Sequence, residues 1–287
     1  MNKSEVTAAG FAAIQRSPRR LIANIQGMPK VGKTHLAMTA KKPVGYIAVE
    51  IGGDEGVADQ FIPTGSNTFD GIQIVRIRMA DPVYPNRDEF PKGRNGDADF
   101  QSAISEGVQS AADEALQKFY DAYYASLKNF ATTVVDTGSD LWEIARLANF
   151  GRLEKVPQLA YTQLNKSMDK IIDDAFSSPG SVLFLHHMKE KWESVIDEKT
   201  GKERGKPSGI FDMAGYGGMK KKVQLTVELW REDLQEPNSD TGRLVTFKAQ
   251  IIDSRHSADA IGTVLTDKIS WADIGTLVTE SKRGDWE

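Results

Sequence analysis

Eight residues near the start of the chain, Gly27-Met28-Pro29-Lys30-Val31-Gly32-Lys33-Thr34, have the types and spacing to hold a polyphosphate. They match G-x-x-x-x-G-K-[ST] at every fixed position. Gly27 and Gly32 permit backbone conformations closed to other residues, so successive N–H groups can turn inward on an anion. Lys33 is placed to reach β- and γ-phosphates, and the Thr34 hydroxyl to ligate Mg2+. The candidate contact set for the nucleotide runs on through His35. Lys30, a second lysine inside the loop, reads as a solvated side chain rather than a catalytic one.

Further carboxylates and imidazoles stand at the ends of apolar runs. Val44–Val49 ends in Glu50, Thr132–Val135 in Asp136, and Ser181–Leu185 in His186 and His187. Asp136 can hold a water of the metal shell and orient Thr34; otherwise it caps the next helix through Thr137-Gly138-Ser139-Asp140. Hydrolysis also needs a group that orients and polarises the attacking water. Thr137, not Glu, follows Asp136, so Glu50 is the candidate base, with Asp54 or Glu55 as substitutes. Side-chain alternation sends His186 and His187 to opposite faces. One of them, with His187 ahead, can donate to the γ-phosphate and report its presence; the other reading is two polar residues where a strand meets solvent.

These groups need strands and helices to position them. Leu21–Ile25 is the apolar lead-in to the loop, within a first strand at about 20–25, and Thr34–Ala40 leads out as a helix to about Lys41, ended by Lys42-Pro43. The positive end of that helix adds to the anion site. Short apolar runs such as Val44–Val49 suit buried parallel strands. A turn at Gly52-Gly53 opens a loop to about Asp70, and Ile72–Ile77 alternates as a strand. Asp81–Asp99 is rich in Pro, Gly and charge and reads as surface loop. Ala98–Phe130 turns helical, with Leu116, Phe119, Tyr120, Tyr123, Tyr124 and Leu127 as an apolar stripe that reads as core. Helices follow at about 140–150 and 159–176. Met188–Gly218 is polar and Gly-rich, with a hairpin expected around Lys199-Thr200-Gly201-Lys202. Val223–Trp230 and Leu244–Ile252 alternate as strands around a turn at 238–242, and the C-terminus reads as a docked tail with a short helix.

The order of parts predicts an α/β P-loop NTPase: a mainly parallel sheet, helices on both faces, and an antiparallel C-terminal extension. In such sheets ligands sit at the carboxyl ends of the strands, where the loop, Glu50, Asp136 and the two histidines all fall. One domain over 1–287 is expected, with a leader at 1–18, an insertion at 80–130, a mobile hairpin at 188–222 and a tail at 256–287.

Composition bounds the function. The chain has 287 residues, 40% hydrophobic and 26% charged, an ordinary globular balance. A formal net charge of −4 leaves nucleic-acid contacts to local patches. Absent cysteine excludes disulfides and thiolate metal sites, and four histidines alone do not suggest structural zinc. No apolar run has membrane-spanning length and no secretory pattern opens the chain, so cytoplasm is the expected place.

Taken together, the strand, G-x-x-x-x-G-K-T, helix, strand ending in Glu50, strand ending in Asp136-Thr137 and strand ending in a polar pair resemble the RecA-like ATPases, in particular the small phage-type members found beside recombination and replication genes. The resemblance spans about Arg20 to Arg255. It implies ATP and Mg2+ as cofactors and hydrolysis at subunit interfaces of a ring or filament. It implies a basic finger after a late strand, for which Arg255 is the candidate and Lys248 the second; Asp253 stands where relatives often carry a lysine. It also implies single-stranded DNA bound by the segment after the polar pair, here 188–222 with Trp192, Tyr216 and Lys220-Lys221-Lys222. Glu190, Glu193, Asp197, Glu198 and Glu203 dilute that charge, and a solvated hairpin is the plain alternative. The rival function is an ATP-driven switch that binds a protein partner through 80–130 and never touches DNA. A small-molecule kinase ranks last, because the expected lid is lysine-rich instead of arginine-rich.

Overall fold

A computed structural model describes residues 20–50, 56–61, 71–82, 86–152, 156–196, 203–235 and 243–287. The expected leader, the Gly52-Gly53 turn, Asp54, Glu55 and both hairpin turns (199–202 and 238–242) lie outside the described residues.

Apolar runs become strands where they can be buried on both faces. β1 (Ile22–Gly27) is buried along its whole length. It enters the phosphate loop and then α1 (Lys33–Met38), six residues long. β2 (Val44–Ala48), β3 (Ile72–Arg76) and β4 (Thr132–Asp136) follow, with α2 (Arg94–Asn129) between the last two. α3 (Gly138–Phe150) and α4 (Tyr161–Ala175) lead to β5 (Ser181–Ile196), β6 (Glu203–Met213) and the short α5 (Met219–Lys222). β7 (Leu225–Gln235), β8 (Arg243–Ser254), β9 (Val264–Thr266) and α6 (Trp271–Thr279) complete the chain.

Among the described residues the strands form one nine-stranded sheet in the order β3-β2-β4-β5-β1-β7-β8-β9, with β6 paired to β5. From β3 to β7 every neighbouring pair is parallel, while β7–β8, β8–β9 and β5–β6 are antiparallel. This is the α/β P-loop NTPase architecture expected, with a mainly parallel core and an antiparallel C-terminal extension.

Alternation sends each strand's side chains to two cores. Ala23, Ile25, Tyr46, Val134, Leu183 and Leu185 pack with α1, α6 and Trp286. Ile22, Ile47, Val135, Val182 and Phe184 pack with α2, α3 and α4. Each fully buried aliphatic side chain contributes roughly 1.5–3 kcal/mol relative to exposure. The aromatic stripe of α2 is core: Phe119 and Tyr123 are fully buried and stacked at 5.4 Å. That helix begins at Arg94, so the expected surface loop is shorter than its composition suggested.

Two further differences bear on function. α1 stops at Met38 instead of about Lys41, because Thr39 closes the turn through its hydroxyl on Leu36 O at 2.6 Å. A helix this short supplies loop and first-turn N–H groups more than a long dipole. β5 continues for nine residues past His187 as one arm of the β5–β6 hairpin, so the hairpin is an extension of a central strand. The tail is docked beside the site: Trp271 N donates to Thr39 Oγ1 at 2.8 Å, and Lys41 Nζ to Asp285 O at 2.9 Å.

Candidate nucleotide site

The phosphate loop takes the shape its glycines allow. Gly32 is left-handed at φ +91°, and a Cβ at Gly27 would lie 2.5 Å from Leu229 O of β7. The loop therefore needs the missing side chain at Gly27 to close against the neighbouring strand. Lys30 also has positive φ, at 64°, and its side chain is exposed, as expected of a solvated lysine.

Lys33 is 6% exposed and turns back over the loop, donating to Gly27 O at 3.0 Å and Met28 O at 2.9 Å. Its third contact is His187 Nδ1 at 3.5 Å. An ammonium only donates, so Nδ1 accepts and the ring proton sits on Nε2. Nε2 lies 3.2 Å from Glu50 Oε2, so His187 links the lysine to the carboxylate. Burial pushes the Lys33 ammonium below the ordinary lysine range, with Asp136 and Glu50 opposing it. The hydrogen bond from His187 holds Glu50 below the usual carboxylate range; burial opposes this and Lys33 adds to it.

Thr34 Oγ1 donates to Asp136 Oδ2 at 2.8 Å, and the Tyr46 hydroxyl donates to the same oxygen. Asp136 is 2% exposed, and its burial pushes the carboxyl up while the two donors pull it down. A hydroxyl and a carboxylate held together are hard oxygen donors of the kind Mg2+ takes, so the residues fit that ion. The helix-cap reading of this segment belongs to Thr137, whose side chain accepts from Asp140 N; Asp136 faces the cavity instead.

A cavity of about 1020 Å3 joins these groups. Its lining combines the polar Lys33, Glu50, Asp136 and His187 with the apolar Val57, Leu229, Val245, Phe247 and Ile269. Val245 and Phe247 are 43% and 40% exposed, and Phe247 lies against Gly32. Met28, Pro29, Val31 and His35 complete the loop's contribution; Pro29, Val31 and His35 line the cavity, with the His35 ring 5.2 Å from Phe61.

His186 takes the other face. It is fully buried under Gly138, where a Cβ would strike its ring, and among the described residues no partner lies within ordinary hydrogen-bond geometry of either ring nitrogen. Burial pushes it down to about 3.

The finger candidates lie elsewhere in their own chain. β8 runs against β7, so Ser254 pairs with Leu225, which pairs with Ala23 at the start of β1. Arg255 thus sits at the opposite end of the sheet from the loop and donates to Lys221 O. Lys248 pairs with Glu232 at 2.7 Å. In the hairpin region Lys191 and Lys220 both pair with Asp212, and Lys222 with Asp169 and Asp173.

Sequence reasoning missed Tyr46, Ser139, Val245 and Phe247. Tyr46 had a signal: a tyrosine in an otherwise aliphatic buried strand needs a partner for its hydroxyl. Ser139 accepts from His187 N at 3.0 Å and donates to Ala214 O at 3.1 Å, fastening the hairpin root to the site.

Residues 19–249 match the sequence family described as an AAA domain. No curated protein matches the chain. Among solved structures, the KaiC-like protein PH0186 from hyperthermophilic archaea, Pyrococcus horikoshii OT3, is similar at 12% identity and TM-score 0.41, over 86% of this chain and 83% of that one.

Proposed function

The chain belongs to the AAA domain family, and from that premise we propose that it binds ATP with Mg2+ in this cavity and hydrolyses it. One observation carries the reading: the loop lysine, the Thr34–Asp136 pair and the Glu50–His187 pair, positioned by the four strands β1, β2, β4 and β5, face one cavity. The loop N–H groups and Lys33 bind the triphosphate, and Thr34 with Asp136 holds the metal side. Held by Thr34 and Asp136, Mg2+ would offset the charge of the phosphates. Glu50, kept ionised by His187, orients the attacking water. When Lys33 leaves Gly27 O, Met28 O and His187 for phosphate, His187 Nδ1 loses its donor, and the imidazole registers nucleotide arrival. The base lies against Phe247, since an exposed aromatic beside a phosphate site offers a stacking platform.

The whole chain acts as one ATPase domain, with 80–130 inserted and 188–222 as the hairpin. Further, it works as a ring or filament with Arg255 reaching a neighbour's γ-phosphate, and acts on single-stranded DNA in phage recombination or replication. Trp192, 67% exposed on the hairpin, supports a stacking surface for bases. The ion pairs of Lys191, Lys220 and Lys222 with Asp212, Asp169 and Asp173 favour the second reading, a switch that engages a protein partner, because paired lysines release fewer counterions from DNA. Among the described residues no helix is long and apolar enough to cross a membrane.

The test measures phosphate release with and without single-stranded DNA, and particle mass with a non-hydrolysable ATP analogue. Mg2+-dependent hydrolysis that requires Lys33 supports the site, and absence of nucleotide binding overturns it. Stimulation by DNA selects the first reading, and indifference to DNA the second. Recovery of activity on mixing Arg255→Ala with Lys33→Ala supports a finger acting between subunits.

A further inference from the structure

Tyr46 stands in the middle of β2, separated from the phosphate loop's own strand β1 by β4 and β5, and outside the motif residues. It is 1% exposed, in a run whose other large side chains are aliphatic. β2 and β4 are parallel neighbours in which Tyr46 faces Val134 and Ala48 faces Asp136. Tyr46 and Asp136 are therefore diagonal, two residues apart along the pair and on the same face. That diagonal is within reach of a tyrosine and beyond most shorter side chains. The phenol hydroxyl spans it and donates to Asp136 Oδ2, the oxygen that also accepts from Thr34.

An aspartate carboxylate rotates about a soft terminal torsion, so a strand end alone does not set its plane. Two donors converging on one oxygen do set it. Thr34 alone is a poor anchor, because in the loaded site its hydroxyl oxygen is also a candidate ligand to the metal. Tyr46 is held by burial in the core shared by β2, β4 and α1. A charge-assisted bond from a buried phenol is also the stronger type.

We propose that Tyr46 is a positioning residue: its hydroxyl fixes the plane of Asp136 so that Asp136 and Thr34 present a preset oxygen pair on the metal side of the nucleotide. This rests on the nucleotide-site reading above. It adds a residue from outside the motif and explains why β2 carries a tyrosine there instead of another aliphatic residue.

The test is Tyr46→Phe, which keeps the ring and removes only the donor. Binding of a fluorescent ATP analogue is titrated in Mg2+ and in EDTA, alongside Mg2+-dependence of hydrolysis and melting temperature without nucleotide. The expected result is about a tenfold loss of the affinity gained from Mg2+, a similar rise in the Mg2+ concentration for half-maximal hydrolysis, and unchanged affinity in EDTA. Unchanged Mg2+ dependence, or an equal loss in EDTA, overturns the proposal and leaves Tyr46 as packing. A second measurement repeats the substitution in an Asp136→Asn background, where Tyr46→Phe should cost nothing further; additive losses overturn it as well. Wild-type protein that binds no analogue at all defeats the site reading, whereas normal wild-type binding with an indifferent Tyr46→Phe defeats only this assignment.

Discussion

Lys33→Ala separates the two jobs the structure gives this lysine. Without nucleotide, the ammonium is 6% exposed and bonded to Gly27 O and Met28 O. Alanine loses those bonds but also removes a charge that burial disfavours, and the two terms offset to within ~1 kcal/mol. The unliganded melting temperature should therefore move by no more than ~4 °C. With nucleotide the balance differs, because nothing replaces the ammonium at the phosphates. Two charge-assisted bonds at roughly 1.5–3 kcal/mol each amount to at least a ~100-fold loss of affinity. At ATP a hundredfold above the wild-type Kd, ligand binding stabilises the folded protein by about 2.7 kcal/mol, or roughly 5–10 °C. After a 100-fold loss the same concentration stabilises it by only ~0.4 kcal/mol, under ~2 °C. The assay is thermal melting with and without Mg2+–ATP for both proteins. A variant that retains the full ligand-induced shift would refute the placement of Lys33 at the triphosphate. A large drop in the unliganded melting temperature would refute the offset argued for its resting contacts.

Glu50→Gln should bind ATP with near wild-type affinity yet hydrolyse it about 100-fold more slowly; single-turnover phosphate release checks this, and normal turnover moves the water-orienting role to another residue. Phe247→Ala should raise the KM for ATP about tenfold through lost stacking, with kcat retained; an unchanged KM places the base elsewhere. The third concerns pH. His186 has a folded value near 3 against 6.5 ordinarily, so the unfolded chain takes up the proton first. Its stabilising contribution is full above pH 6.5 and is lost as pH falls toward 3, by about 1.4 kcal/mol per pH unit. His186→Leu should flatten the decline between pH 6.5 and 4.5; urea unfolding at several pH values measures it, and equal slopes in both proteins would show that His186 takes its proton without unfolding.

Local chemistry made much of the site legible. A Gly-Lys-Thr loop between an apolar run and a helical one has few uses, and Glu50, Asp136 and His187 each end an apolar run. Parallel strands all finish at one edge of a sheet, so reading them as parallel was enough to gather those residues. The α2 stripe, Phe119 and Tyr123 above all, was legible as core for the same reason: its period is a local property of the chain.

What periodicity could not convey was which strands lie side by side. Only the order β4-β5-β1 puts His187 between Lys33 and Glu50, and only the β2–β4 register brings the Tyr46 hydroxyl to Asp136. The reversed direction of β8 carries Phe247 to the nucleotide cavity and Arg255 to the far end of the sheet. Lys220 and Lys222, a free basic cluster by sequence, meet Asp212, Asp169 and Asp173 across separate elements. Residue types and spacing determined the motif and the edge at which it would work. Pairing between segments far apart in the chain decided who stands next to whom, because hydrogen-bond ladders and shared cores couple residues that no local pattern relates.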